Sequence, residues 1–109
     1  MISWTDFEKI DIHVGTILSA ENFPKARNPA YKLTIDFGPL GIKKSSAQIT
    51  KLYKIEDLPG KQIVAVTNFP PKQIADFMSE CLVLGAVGVD KEITLLSVGL
   101  KVENGLKIG

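Results

Sequence analysis

The sequence predicts an all-β domain with short helices, in which five strands close into a small Greek-key barrel. Three observations point that way. Strand-length apolar runs recur at roughly ten-residue spacing, with Gly, Pro or Asn turn signals between them. One run alternates cleanly, Lys32, Thr34 and Asp36 against Leu33, Ile35 and Phe37, which gives one wet face and one core face. No stretch supplies the long crossover helices that a parallel sheet needs.

Taken in order, Thr5-Asp6-Phe7-Glu8 has the form of a capping box, so a short helix opens the chain. A first strand follows over residues 12–20, with Gly15 as a bend or bulge. Residues 22–29 hold two prolines and form a loop carrying Lys25 and Arg27. The alternating second strand puts Lys32 outward beside Tyr31. Gly38-Pro39-Leu40-Gly41 turns the chain into a third strand through Lys43 and Lys44. Ser45 and Gln48 stand at capping-box spacing, which predicts a short helix with Ile49, Leu52 and Tyr53 on one face and Lys51 and Lys54 on another. Pro59-Gly60 ends it. The β-branched run over residues 63–66 is a fourth strand, Asn68-Phe69-Pro70-Pro71-Lys72 is a loop, and residues 82–87 are a fifth strand. Three strands, a short helix and two more strands is the order of an OB-fold.

The tail is an addition to that core. Residues 1–87 form the barrel with its N-terminal helix, and residues 88–109 form a C-terminal extension that is still rich in apolar side chains. Asn104-Gly105 suggests a hairpin. A two-residue loop would pair Val102 with Lys107 and mix the faces. A three-residue loop, with Gly105 left-handed, pairs Val102 with Leu106 and Leu100 with Ile108. Such a face needs cover, from the barrel itself or from a second copy of the chain.

At 109 residues the chain is one domain. Its net charge of +1 hides a strong asymmetry. Nine basic residues (Lys25, Arg27, Lys32, Lys43, Lys44, Lys51, Lys54, Lys61, Lys72) lie between positions 25 and 72, among only three acidic ones. The two ends are correspondingly acidic. Such polarity suggests a localised anion-binding surface, with nucleic acid the commonest ligand. The longest run without a polar side chain, residues 81–89, is too short to cross a bilayer, so no membrane insertion is expected. The start lacks the basic and apolar regions of a signal peptide, and a cytoplasmic location is expected. Cys81 is the only cysteine and reads as a buried small hydrophobe.

No catalytic constellation, metal site or cofactor motif is apparent. His13 is the only histidine, Glu56-Asp57 lies in a loop, and Gly85-Ala86-Val87-Gly88 is followed by neither lysine nor helix start. Binding fits better. An OB-fold takes ligands on its second and third strands and on the loops joining strands one to two and four to five. Lys25, Arg27, Lys32, Lys43, Lys44, Lys51 and Lys72 fall on or beside those elements and are candidates for phosphate contacts. Tyr31 and Phe69 are candidates for stacking on bases or holding peptide, and Ser46, Gln48 and Asn68 for hydrogen bonds.

Several separated segments resemble the tRNA-binding domain family. They are Asp11-Ile12-His13-Val14-Gly15-Thr16-Ile17, Tyr31 to Gly38, Lys44-Ser45-Ser46-Ala47-Gln48-Ile49-Thr50, Asn68-Phe69-Pro70-Pro71-Lys72-Gln73-Ile74, Ser79-Glu80 and Leu82-Val83-Leu84-Gly85. The details are most similar to the stand-alone branch described as an export-related chaperone. The resemblance implies an OB-fold homodimer without catalytic activity. It implies partners that are tRNA or other structured RNA, and unfolded preprotein segments. It carries the binding surface onto Lys44, Ser46, Gln48, Asn68, Lys72 and Ser79. The tail residues Leu100, Val102, Leu106 and Ile108 are then the candidate dimer contact. Two departures stand out: His13 occupies a position usually held by arginine, and the tail lacks the family's usual prolines.

Overall fold

Apolar residues two apart leave one face of each strand greasy, and the chain buries these faces together by rolling its sheet into a barrel. The computed structural model describes residues 1–109. Its elements are helix α1 (Trp4–Glu8) and strands β1 (Ile12–Asn22), β2 (Tyr31–Asp36), β3 (Ile42–Ala47), β4 (Gln62–Val66), β5 (Lys72–Ile74), β6 (Phe77–Ser79), β7 (Leu82–Val83), β8 (Gly85–Val87) and β9 (Ile93–Leu95). The main sheet is antiparallel, in the order β3-β2-β1-β4-β7, and β5-β6 and β8-β9 are separate hairpins. The expected five-stranded OB-type barrel is present.

β1 is its pivot. The first half pairs with β4, from Ile12 opposite Val66 to Thr16 opposite Gln62, and the second half pairs with β2. A register shift between Ile17 and Ser19 leaves Leu18 as the extra residue of a bulge, and there the strand bends from one partner to the other. Gly15, expected to supply that bend, instead pairs regularly with Ile63. It is glycine because a Cβ would lie 2.7 Å from Ile35 and 2.8 Å from the Phe37 ring. Ile17, Leu33, Ile35, Phe37 and Leu58 are wholly buried, with Ile63 and Ala65 beside them. Each large side chain so buried contributes about 1.5–3 kcal/mol.

Side chains complete the closure between β3 and residues 79–81, where ladder bonds are few. Glu80 N–H donates to the Lys44 carbonyl (2.7 Å), and Lys44 N–H donates to the Glu80 carboxylate (2.9 Å). Ser46 N–H donates to Ser79 Oγ (3.1 Å), and the wholly buried Ser45 Oγ–H donates to the Cys81 carbonyl (2.9 Å).

Several local expectations are corrected. The opening helix is capped two residues earlier, by a reciprocal box between Ser3 and Asp6 rather than from Thr5. Ser45 belongs to β3, so no helix covers residues 49–53; a turn and a 3-10 turn (Ile55–Asp57) stand there, and Ile49 is buried while Leu52 is exposed. The expected fifth strand breaks at Leu84: β7 pairs with β4, whereas β8 leaves the barrel to pair with β9.

The tail does not fold back on itself. Residues 105–108 run along the edge of β1 that β2 leaves free. Gly105 N–H donates to the Val14 carbonyl (2.7 Å), Val14 N–H to that of Leu106 (3.0 Å), and Ile108 N–H to that of Ile12 (2.8 Å). The expected pairs Leu100–Ile108 and Val102–Leu106 are therefore absent. An open sheet edge offers the segment backbone partners already ordered, which an isolated hairpin lacks. Gly105 is left-handed as expected, with φ +96°. Val102 and Ile108 are half-buried, whereas Leu100 and Leu106 stay exposed. Gln62 reaches out to hold Val102, accepting its N–H (3.1 Å) and donating to its carbonyl (2.7 Å).

Candidate nucleic-acid interface

Period-two alternation fixes which side chains of β2 and β3 leave the barrel. The outward row sets Lys32 opposite Ser46, Thr34 opposite Lys44 and Asp36 opposite Ile42. Beyond its Ser46 end the surface opens into a groove of about 460 Å³ between β3 and the β5-β6 hairpin. Ser46, Gln48, Phe69, Lys72 and Ser79 line it together with Leu82, so five expected site residues from distant parts of the chain share one concavity. Phe69 is 56% exposed, its ring free to meet a ligand. Lys44 and Lys72 are exposed and form none of the structure's ion pairs, which involve Lys25, Lys32 and Lys107. Arg27 is likewise exposed on the loop after β1.

Other expected site residues stand differently. Tyr31 is a correction: it is buried, and its hydroxyl donates to the Tyr53 carbonyl (2.8 Å), so it is a core strut with no face to stack. Lys43 is opposite Ile35 on the inward side of β3 and does not share the outward row with Lys44. Asn68 lies outside the groove lining; its amide accepts from Asp11 N–H (3.0 Å) and donates to the Lys9 carbonyl (2.7 Å), pinning the chain after α1. Lys51 donates to the Asp90 carbonyl. Lys25 donates to Asp76 (2.9 Å), and that hydrogen bond raises the lysine's pKa and lowers the carboxylate's. Lys32 approaches Glu21 (3.8 Å) and lies over the rings of Phe23 (5.5 Å) and Phe77 (5.9 Å).

The hairpin that forms one groove wall escaped the sequence reading. Its two-residue turn is Ala75-Asp76, with neither Gly nor Asn to mark it, although Ala75 is left-handed. Glu80 was missed as well; it places a carboxylate beside the Lys44 backbone. At the groove floor, burial pushes the Cys81 thiol up to about 11, so it stays protonated and unreactive at neutral pH.

A second trough of about 340 Å³ runs on from Ser46 and Gln48, and is mostly apolar, with Leu82, Val83, Val87 and Ile93 in its walls. The largest concavity, about 970 Å³, lies elsewhere, between the tail, Thr16 of β1 and the start of β4. Four of its polar side chains are already engaged: Thr16 and Gln62 both donate to Asn104 Oδ1, and Ser97 donates to the Gln62 backbone carbonyl. No helix is long and apolar enough to cross a membrane.

A family model described as "Putative tRNA binding domain" matches residues 12–107. Among solved structures, a chaperone CsaA from Bacillus anthracis str. Ames is 53% identical, with a TM-score of 0.96, over 100% of this chain and 99% of that one. A CsaA chaperone protein from Picrophilus torridus is 54% identical with a TM-score of 0.94, and each chain is covered completely. CsaA is the stand-alone branch that the sequence motifs resemble. A methionine–tRNA ligase of Porphyromonas gingivalis is 35% identical over 107 residues, 98% of this chain. The chain spans only 15% of that enzyme's length.

Proposed function

From the premise that this chain belongs to the tRNA-binding domain family, we propose that it is a non-catalytic RNA-binding protein whose ligand is tRNA or another structured RNA. The carrying observation is the groove in which Ser46, Gln48, Phe69, Lys72 and Ser79 meet, beside the unpaired Lys44. Lys44, Lys72 and Arg27 supply phosphate contacts, Phe69 a stacking platform, and Ser46 and Gln48 hydrogen bonds to an unpaired nucleotide. Phe69→Ala tests this with labelled tRNA at constant salt. Loss of one stacked base weakens binding by roughly tenfold while leaving the salt dependence unchanged. Wild-type affinity in a folded Phe69→Ala protein contradicts the stacking role.

The apolar trough favours a second activity, a molecular chaperone that holds unfolded segments of export-bound preproteins, in keeping with the similarity to two CsaA chaperone structures. Binding of unfolded chains through apolar contacts resists salt, whereas RNA binding does not. Competition between an unfolded polypeptide and tRNA at two salt concentrations separates this reading from a protein that binds tRNA alone.

We further propose a two-fold symmetric homodimer. Leu100 is 82% exposed and Leu106 is 48% exposed on the tail. Ile2 and Trp4 are also largely exposed and, with Phe7, line an apolar concavity that reaches Gly109. A symmetric partner covers such a patch on both copies at once.

A further inference from the structure

The β5-β6 hairpin carries three groove residues, Lys72, Ile74 and Ser79, and Lys72 and Ser79 are paired across its base. Its tip meets the segment that follows β1. There Phe23, only 4% exposed, packs edge-on against Phe77 with ring centroids 5.4 Å apart, and Lys32 sits over both rings. At the turn itself Lys25 Nζ donates to Asp76 Oδ2 at 2.9 Å. The preceding residue, Ala75, holds a φ of 54°, a conformation that a side-chain-bearing residue keeps only where its surroundings hold it. The groove wall is therefore tied at its far end by one ion pair above one aromatic contact.

Resting on the RNA-binding reading, we infer that Lys25 is a positioning residue: through Asp76 it latches the hairpin in the setting where Lys72 and Ser79 line the groove, and it contacts no RNA phosphate itself. The two roles differ in sign at Asp76. A lysine that touches phosphate is partly neutralised by a neighbouring carboxylate, so removing Asp76 strengthens binding. A latch needs both partners, so removing Asp76 weakens binding even though the protein becomes more positive.

The experiment measures labelled-tRNA affinity at one low salt concentration for the unmodified protein, Asp76→Ala, the charge-neutral pair Lys25→Ala/Asp76→Ala and the exchange Lys25→Asp/Asp76→Lys. Native-state hydrogen exchange at Phe77 accompanies it. The latch gives the charge-neutral double alanine variant a loss of about two- to fivefold, the range that an exposed ion pair supports, and Asp76→Ala a smaller loss, because its extra positive charge offsets part of it without cancelling it. It gives both faster exchange at Phe77, and the exchanged pair recovers affinity. Asp76→Ala binding as tightly as the unmodified protein, or more tightly, overturns the latch. So does an exchanged pair that recovers nothing. An unmodified protein that binds no tRNA overturns the RNA reading itself, and the positioning role with it.

Discussion

Two residues show how far single side chains reach in this fold. Gly15 lies where β1 crosses the core, and a methyl group there meets Ile35 and Phe37 below 3 Å. Gly15→Ala is expected to destabilise the protein by about 1–3 kcal/mol through overpacking, seen as a lower denaturation midpoint with an unchanged slope. Cys81 gives a pH signature. Its folded pKa is raised to about 11 from an ordinary 9.0, chiefly by burial, so the native state keeps a proton that the unfolded chain gives up. Stability from this group is complete below pH 9 and is lost as pH rises towards 11. Cys81→Ala is expected to flatten the stability-against-pH curve in that window, and equal slopes for the two proteins contradict the burial account.

At the scale of elements, closure between β3 and residues 79–81 rests on one backbone bond and three that use side chains. Ser45 has no exposure, and its hydroxyl donates to the Cys81 carbonyl. Ser45→Ala leaves that carbonyl only the longer bond from Ser79 Oγ (3.4 Å), at a cost of about 0.5–1.5 kcal/mol measurable by urea unfolding. A change within error of zero shows that the bond contributes little to closure. The same serine explains an error of sequence reading. Ser45 and Gln48 mimic a capping box by spacing alone, but Ser45, Ala47 and Ile49 alternate inward, and the core captured them. β2 was legible because its alternation is unbroken. The β5-β6 hairpin was not, because Ala75-Asp76 carries no glycine signal. The tail was half legible: the left-handed Gly105 follows from Asn104-Gly105, but its partner is the open edge of β1, a long-range fact that no local pattern contains. Of the site, Lys44, Gln48, Phe69 and Lys72 could be read from fold order and residue type. The burial of Tyr31 follows from its place in the inward row with Leu33 and Ile35, and the engagement of Lys25 by Asp76 needed the folded hairpin.

Across the whole molecule, folding sorts the nine basic residues of the central stretch into different tasks. Lys25 is paired to a carboxylate and Lys32 lies close to one, Lys51 bonds a carbonyl, and Lys43 turns inward; of the rest, Lys72 lines the groove, Lys44 stands two residues from Ser46 on β3, and Arg27 is exposed on the loop after β1. Besides Phe69, Leu82 and Val87 at the groove and trough, a second set of exposed apolar residues, Ile2, Trp4, Leu100 and Leu106, lies at the N-terminal helix and the tail. Light scattering at micromolar concentration is expected to give the mass of two chains, and Trp4→Asp/Leu100→Asp to shift it towards one. A single-chain mass for the unmodified protein contradicts the dimer. The central claim, that this groove and its free cations bind RNA, meets its most direct test in the salt dependence of tRNA affinity for the unmodified protein and for Lys44→Glu/Lys72→Glu. Three phosphate contacts per protomer predict a log–log slope of about −2 to −3 for the unmodified protein. The charge-reversed protein, still folded, is expected to lose most of its affinity and to have a shallower slope. Equal affinity and equal slope in the two proteins would place the RNA on another face and contradict the account.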